Sequence, residues 1–326
     1  MQNTLKSCLS AYFLAATFAF FAPEGLQAQE RQNSPVPKSK VSIDQISLEQ
    51  RLNHDLKKSN VHSERGWYAK FYAPDNAADK DQKVIILADQ HDLSRSGEDY
   101  LSIIGILNKY ADSFGIELGY QNKDPIEGQV EIGNTVKGIL GKTDLRTSRD
   151  IITKYRTTRE IVNTKKPIYS LEDKNFNISA YFIQDFRKFV RGNISKETIE
   201  EKIVPPKFEN YKKAYDIIKK DNYPELPELD DEILADYKKF KEFIHKFYAA
   251  REKLIDKRSY FAVETIEKRL KENKNENLIV ALYGSYHIPE ISKSLGVPYI
   301  LISNESIDSL VKMHKERSRK FLEEKK

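Results

Sequence analysis

The sequence predicts an α/β domain: a mainly parallel sheet with flanking helices and a helical cap insertion. Three observations predict it. Short continuous apolar runs recur along the chain, at Val84–Asp89, Ser113–Leu118, Pro167–Asp173, Leu278–Tyr283 and Val297–Ile302, and unbroken apolarity marks strands covered on both faces, as in parallel sheets. The stretches between them repeat with helical period. Between the third and fourth runs, from about 176 to 275, helical periodicity continues with no strand signal, which reads as a helical insertion packed over the sheet.

In order along the chain, residues 1–28 hold one basic residue, Lys6, the apolar run Leu9–Ala22 and the less apolar end Leu26-Gln27-Ala28. This is the form of a secretory signal peptide, cleaved after Ala28; the run is shorter than the roughly 20 residues of a membrane-spanning helix. A secreted or periplasmic protein with no membrane span after cleavage is expected. Residues 29–44, with Ser34-Pro35-Val36-Pro37, read as a flexible linker, and a single domain follows over 45–326. Ser47-Leu48-Glu49-Gln50 has the form of a capping box opening a short helix with Leu48, Leu52 and Leu56 on one face. Alternation of Trp67, Ala69 and Phe71 with Tyr68, Lys70 and Tyr72 predicts a half-exposed strand. Tyr100, Ile103, Ile104, Leu107 and Tyr110 share a helical face after the first run, and Thr147-Ser148-Arg149-Asp150 opens another helix through Ile151, Ile152, Tyr155 and Val162. Within the insertion, Ile233, Tyr237, Phe240, Ile244, Phe247 and Tyr248 keep helical spacing, and a final helix carries Ile307, Leu310 and Val311.

Composition narrows the function. Apolar residues are 39% of the 326, too many for a disordered chain. Lys+Arg number 54 against 49 Asp+Glu, a net charge of +5, but the signs interleave, so no nucleic-acid-binding stripe is expected. The one cysteine, Cys8, precedes the apolar run, so the mature chain has no disulfide and any metal falls to His, Asp or Glu. Gly133, Gly138 and Gly141 are not followed by the Gly-Lys-Ser/Thr of a phosphate loop. Ser285 has no second glycine two residues on, as a nucleophile elbow requires.

Ligands of open parallel sheets bind outside the carboxyl ends of the strands. The first run ends Ala88-Asp89-Gln90-His91-Asp92, the second holds Glu117, the third ends Glu172-Asp173 and the fourth leads into Gly284-Ser285-Tyr286-His287. Two of the six histidines thus stand three residues past a small residue at a strand end. Two imidazoles with two or three carboxylates suit Mn²⁺, Fe²⁺, Co²⁺ or Zn²⁺ and a metal-activated water, which makes His91, Glu117, Asp173 and His287 the candidate metal ligands. His91, Glu117, His287 and Asp89 are the candidate catalytic set. Arg258 reads either as part of a solvated helix face with Arg251 or as a pocket residue that binds a substrate carboxylate; Arg258 and Tyr286 are the candidate substrate contacts. His54, His62, His245 and His314 lie among charged residues, as surface residues do.

The order of these motifs resembles the superfamily of TraB/GumN-like proteins, Tiki metalloproteases, erythromycin esterases and ChaN-like haem-binding proteins. Its members carry Gly-x-x-His after the first strand, an acid at the end of the second and a late Gly-x-x-His. Here Ala88-Asp89-Gln90-His91, Ile116-Glu117-Leu118 and Gly284-Ser285-Tyr286-His287 stand in those places. Lys257-Arg258-Ser259-Tyr260-Phe261-Ala262 is similar to the family's late arginine. Ala88 and Asp89 depart from its frequent Gly-Glu. The resemblance, over about 82–303, implies an exported hydrolase of an ester, lactone or peptide bond, metal-dependent or with His91 as a general base oriented by Glu117. Its alternative implication is a non-enzymatic protein that binds haem or another small ligand.

Overall fold

The computed structural model describes residues 43–59, 61, 66–73, 83–89, 96–120, 124–140 and 156–323. The expected signal peptide, nearly all of the linker, His91, Asp92 and the helix start at 147–155 lie outside the described residues. The described residues belong to one compact unit within 39–326.

Helix α1 (Ile43–Lys58) buries Leu48, Leu52 and Leu56. It begins two residues before the expected domain boundary. Ser47 lies inside its second turn, so the Ser47 box does not open the helix. Strand β1 (Tyr68–Tyr72) follows, then β2 (Lys83–Asp89), α2 (Ser96–Leu107), β3 (Ser113–Ile116), α3 (Pro125–Leu140), α4 (156–163) and β4 (Ile168–Ser170). The insertion is helical throughout: α5 (Lys174–Asn193), α6 (Lys196–Glu200), α7 (Phe208–Asn222), a 3-10 turn at Ile233–Ala235 and α8 (Tyr237–Glu272). Ile233 therefore sits outside the helix its spacing suggested, because Asp236 caps α8 through the Lys238 and Lys239 amides. The chain closes with β5 (Leu278–Gly284), a 3-10 turn (Ser285–His287), α9 (Ile288–Ser294), β6 (Tyr299–Ser303) and α10 (Ile307–Glu323).

Among the described residues the six strands form one sheet in the order β1-β6-β2-β5-β3-β4. Every pairing is parallel except β1 with β6, in which Ala69 faces Ile302. The Trp67 strand is thus an antiparallel edge; its indole is 1% exposed, lies edge-on to Tyr100 and donates to Asp99 at 3.3 Å.

Strand periodicity divides the sheet residues between two cores. Ile85, Leu87, Phe114, Ile116, Val280 and Leu282 face one side, where α1, α2 and the helical insertion cover them. Val84, Ile86, Ala88, Ile279, Ala281 and Tyr283 face the other, against α9, α10 and the carboxyl half of α8. Helix α8 belongs to both. Phe240, Phe243, Phe247 and Leu254 lie in the first core, and Ala262, Val263, Ile266 and Leu270 in the second. Its 36 residues, about 54 Å at 1.5 Å per residue, pass from the cap to the far layer with Arg258 and Ser259 between the two apolar stretches.

Candidate functional site

The parallel register aligns the strand ends. Asp89 of β2 pairs with Gly284 of β5, the Glu117 amide just past β3 donates to the Leu282 carbonyl at 3.1 Å, and the Leu171 amide just past β4 donates to the Ile116 carbonyl at 2.8 Å. Four strands therefore deliver Asp89, Gly284, Glu117 and Glu172 to one carboxyl edge. The Tyr100 hydroxyl of α2 holds the Ala88 carbonyl at 3.0 Å, fixing the end of β2. At Gly119 a Cβ would stand 2.3 Å from the Lys174 backbone, so only glycine lets the chain leaving β3 press against the start of α5.

At this edge one helix and two strand ends share a buried ion triad. Arg258 Nη2 donates to Glu117 Oε1 at 2.6 Å, and Arg258 Nε donates to Glu172 Oε1. The second oxygens are also held: Glu117 Oε2 accepts from the Gly284 amide at 2.7 Å, and Glu172 Oε2 accepts from Asn177 Nδ2. Side-chain exposure is 9% for Arg258, 7% for Glu117 and 0% for Glu172. Burial opposes the guanidinium charge, but the Glu172 and Glu117 carboxylates outweigh it and raise the Arg258 pKa.

Beside the triad stands His287, 4% exposed, on the turn that leaves β5. Its ring meets Tyr283 edge-on, with centroids 4.7 Å apart. Its Nδ1 lies 2.9 Å from Ser259 Oγ, which is 2.8 Å from the Ile255 carbonyl one turn back in α8. The Tyr283 hydroxyl donates to the Arg258 carbonyl at 3.1 Å; burial first, then Glu172, pushes that hydroxyl well above the ordinary phenol range, so Tyr283 stays a neutral donor. One turn of α8, residues 255–259, thus supplies the ion partner, the imidazole partner and two carbonyl acceptors.

The structure sorts the expected site residues. Asp89, Glu117 and His287 share the carboxyl edge with Arg258, and half-buried Tyr286 lies on the same turn as His287. His91, expected opposite His287, lies outside the described residues. Asp173 serves another purpose: its side chain caps α5 by accepting from the Asn175 amide at 2.8 Å. Arg258 departs from the solvated-face reading, because its side chain is 9% exposed, and its Nε and Nη2 are directed to the chain's own carboxylates at the carboxyl edge. Sequence reasoning counted Glu172 among the strand-end acids without giving it a role, and passed over Ser259, Asn177 and Tyr283. The readable signal was the polar pair Arg258-Ser259 between Leu254-Ile255 and Ala262-Val263 on one helix.

Of the expected metal ligands, His91 lies outside the described residues; among the described ones Glu117 is bonded through both oxygens, Asp173 caps α5, and no group of three or more His, Cys, Asp or Glu side chains is placed to hold a metal. His54 and His245 are exposed, as surface residues. Comparison with protein-family models, curated proteins and solved structures finds no match to this chain.

Proposed function

We propose that the carboxyl edge is the active site of a hydrolase for an ester, lactone or peptide bond, with His287 as its general base. The observation that supports it is a buried imidazole held at Nδ1, beside carboxylates whose oxygens are already bonded. Such an imidazole is oriented, and general-base catalysis depends on orientation before pKa. His287 takes a proton from water as the water oxygen bonds to the carbonyl carbon. It returns that proton to the alkoxide or amine as the scissile bond breaks. The triad holds Glu117 and the Gly284 amide in register and has no proton to exchange in this scheme. Export completes the reading, from Lys6, the Leu9–Ala22 run and Ala28; no helix among the described residues is long and apolar enough to cross a membrane.

The test is a screen of model esters, lactones and peptides with the exported protein and His287→Ala. Hydrolysis that falls by roughly a hundredfold or more in the variant, within the usual range for a lost general base, supports the proposal; equal rates in both proteins overturn it. Chelation followed by Mn²⁺, Fe²⁺, Co²⁺ or Zn²⁺ add-back is expected to leave the rate unchanged. Rescue by one metal replaces the general-base scheme with a metal-dependent one. A strong visible absorption band on haem titration, with no substrate turned over, replaces the hydrolase with a haem-binding protein.

A further inference from the structure

We infer that Ser259 is a positioning residue that holds neutral His287 as the Nδ1–H tautomer, making Nε2 the accepting nitrogen of the ring. The inference rests on the reading of His287 as the working imidazole, but its geometry stands apart from any reaction. A serine hydroxyl has one proton and two acceptor lone pairs. Ser259 Oγ makes two contacts, 2.8 Å to the Ile255 carbonyl oxygen and 2.9 Å to His287 Nδ1. A carbonyl oxygen cannot donate, so the first contact is a hydrogen bond only when the hydroxyl proton points at Ile255. The second is then a bond only when Nδ1 carries the hydrogen and donates to Oγ. The opposite assignment, with the hydroxyl donating to Nδ1, leaves two oxygens 2.8 Å apart with no proton between them, in a residue with 0% exposure and no bulk water to intervene.

The helix enforces the choice. Ile255 and Ser259 are four apart in α8, where a serine side chain readily bonds the carbonyl one turn back. Buried polar pairs of this kind fix which imidazole nitrogen is protonated, and with it the side from which the ring accepts. The Tyr283 ring packs edge-on against the imidazole, with centroids 4.7 Å apart. Ser259 touches no reacting atom in this arrangement; it acts through His287.

The experiment is a long-range proton–nitrogen NMR spectrum of the full chain with labelled histidine, taken on the alkaline plateau where the ring is neutral. His287 is assigned by the signals lost in His287→Gln. The expected spectrum shows Nδ1 as the protonated nitrogen and Nε2 as the bare one. In Ser259→Ala the pattern shifts toward Nε2–H, and kcat on any substrate found falls roughly a hundredfold with KM held, as loss of an oriented base requires. Ser259→Thr, which keeps the hydroxyl, restores both. A wild-type spectrum showing Nε2–H overturns the inference without recourse to a variant, as does an unchanged Nδ1–H pattern in Ser259→Ala. If no substrate is hydrolysed, the hydrolytic reading falls and the tautomer spectrum still decides the role of Ser259.

Discussion

Arg258 stands between two carboxylates at the edge of the sheet, and its removal strands both of them. Breaking a buried pair from one side costs far more than the pair contributes, because an uncompensated charge remains in low dielectric. Arg258→Met is therefore expected to destabilise the protein by about 3–5 kcal/mol, read as a lower urea midpoint with an unchanged slope. Adding Glu117→Gln and Glu172→Gln to Arg258→Met should recover most of that loss, since no buried charge is then left. Recovery absent in the triple variant would mean that Arg258 matters for its packing and not for its charge. The strand-end acids were legible in the sequence as a set, since Glu117 and the Glu172-Asp173 pair close apolar runs. Which neighbour turns inward was not legible: Glu172 reaches Arg258 while Asp173, with extended backbone at φ −74° and ψ 140°, caps the next helix. That choice depends on where β4 stops and α5 starts, a boundary that apolar spacing does not mark.

Helix α8 binds the cap to the sheet. Its amino half packs an aromatic cluster in which Phe186 stacks on Phe182, meets Phe247 edge-on at 5.4 Å and touches Tyr215 at 5.2 Å. Phe186 is fully buried, so Phe186→Ala is expected to cost about 3–5 kcal/mol through lost apolar contact and the cavity left behind. Because the cluster belongs to the same core as Leu87, Ile116 and Leu282 of the sheet, far-UV and near-UV circular dichroism should report that loss as one transition. A separate early transition confined to the aromatic signal would show the cap to be an independent unit. The helical nature of the insertion was legible from the 3.6-residue period of Phe240, Ile244 and Phe247. That one helix serves both layers was not, since periodicity identifies an apolar face and not the partner it meets.

At the scale of the whole molecule, burial is the chief force on a set of seven tyrosines. It raises Tyr72 to about 12, with Tyr68 and Tyr299 adding to the effect, and pushes Tyr120, Tyr169, Tyr215, Tyr223, Tyr248 and Tyr283 higher still. An unfolded tyrosine ionises near 10, so above that pH the folded chain keeps protons that the unfolded chain releases. The stability from these groups is complete below pH 10 and is lost as pH rises through about 12 and beyond. Phenolate absorbance of the buried set should therefore appear together with loss of far-UV dichroism; its appearance in a chain with intact dichroism would contradict the burial. The parallel character of the sheet was legible from its unbroken apolar runs, but the strand order was not, because runs carry no record of their neighbours. That order governs how the chain can be made. Both neighbours of β2 are β5 and β6, and β1 borders β6 alone. Ile85 must wait for Val280, and Ala69 for Ile302. A ribosome delivering the amino end first thus releases two strands with nothing to pair with, and the sheet assembles only after the carboxyl-terminal third has emerged. Until then β1 and β2 stay without their strand partners, while β3 and β4, and the helices between β4 and β5, already have theirs.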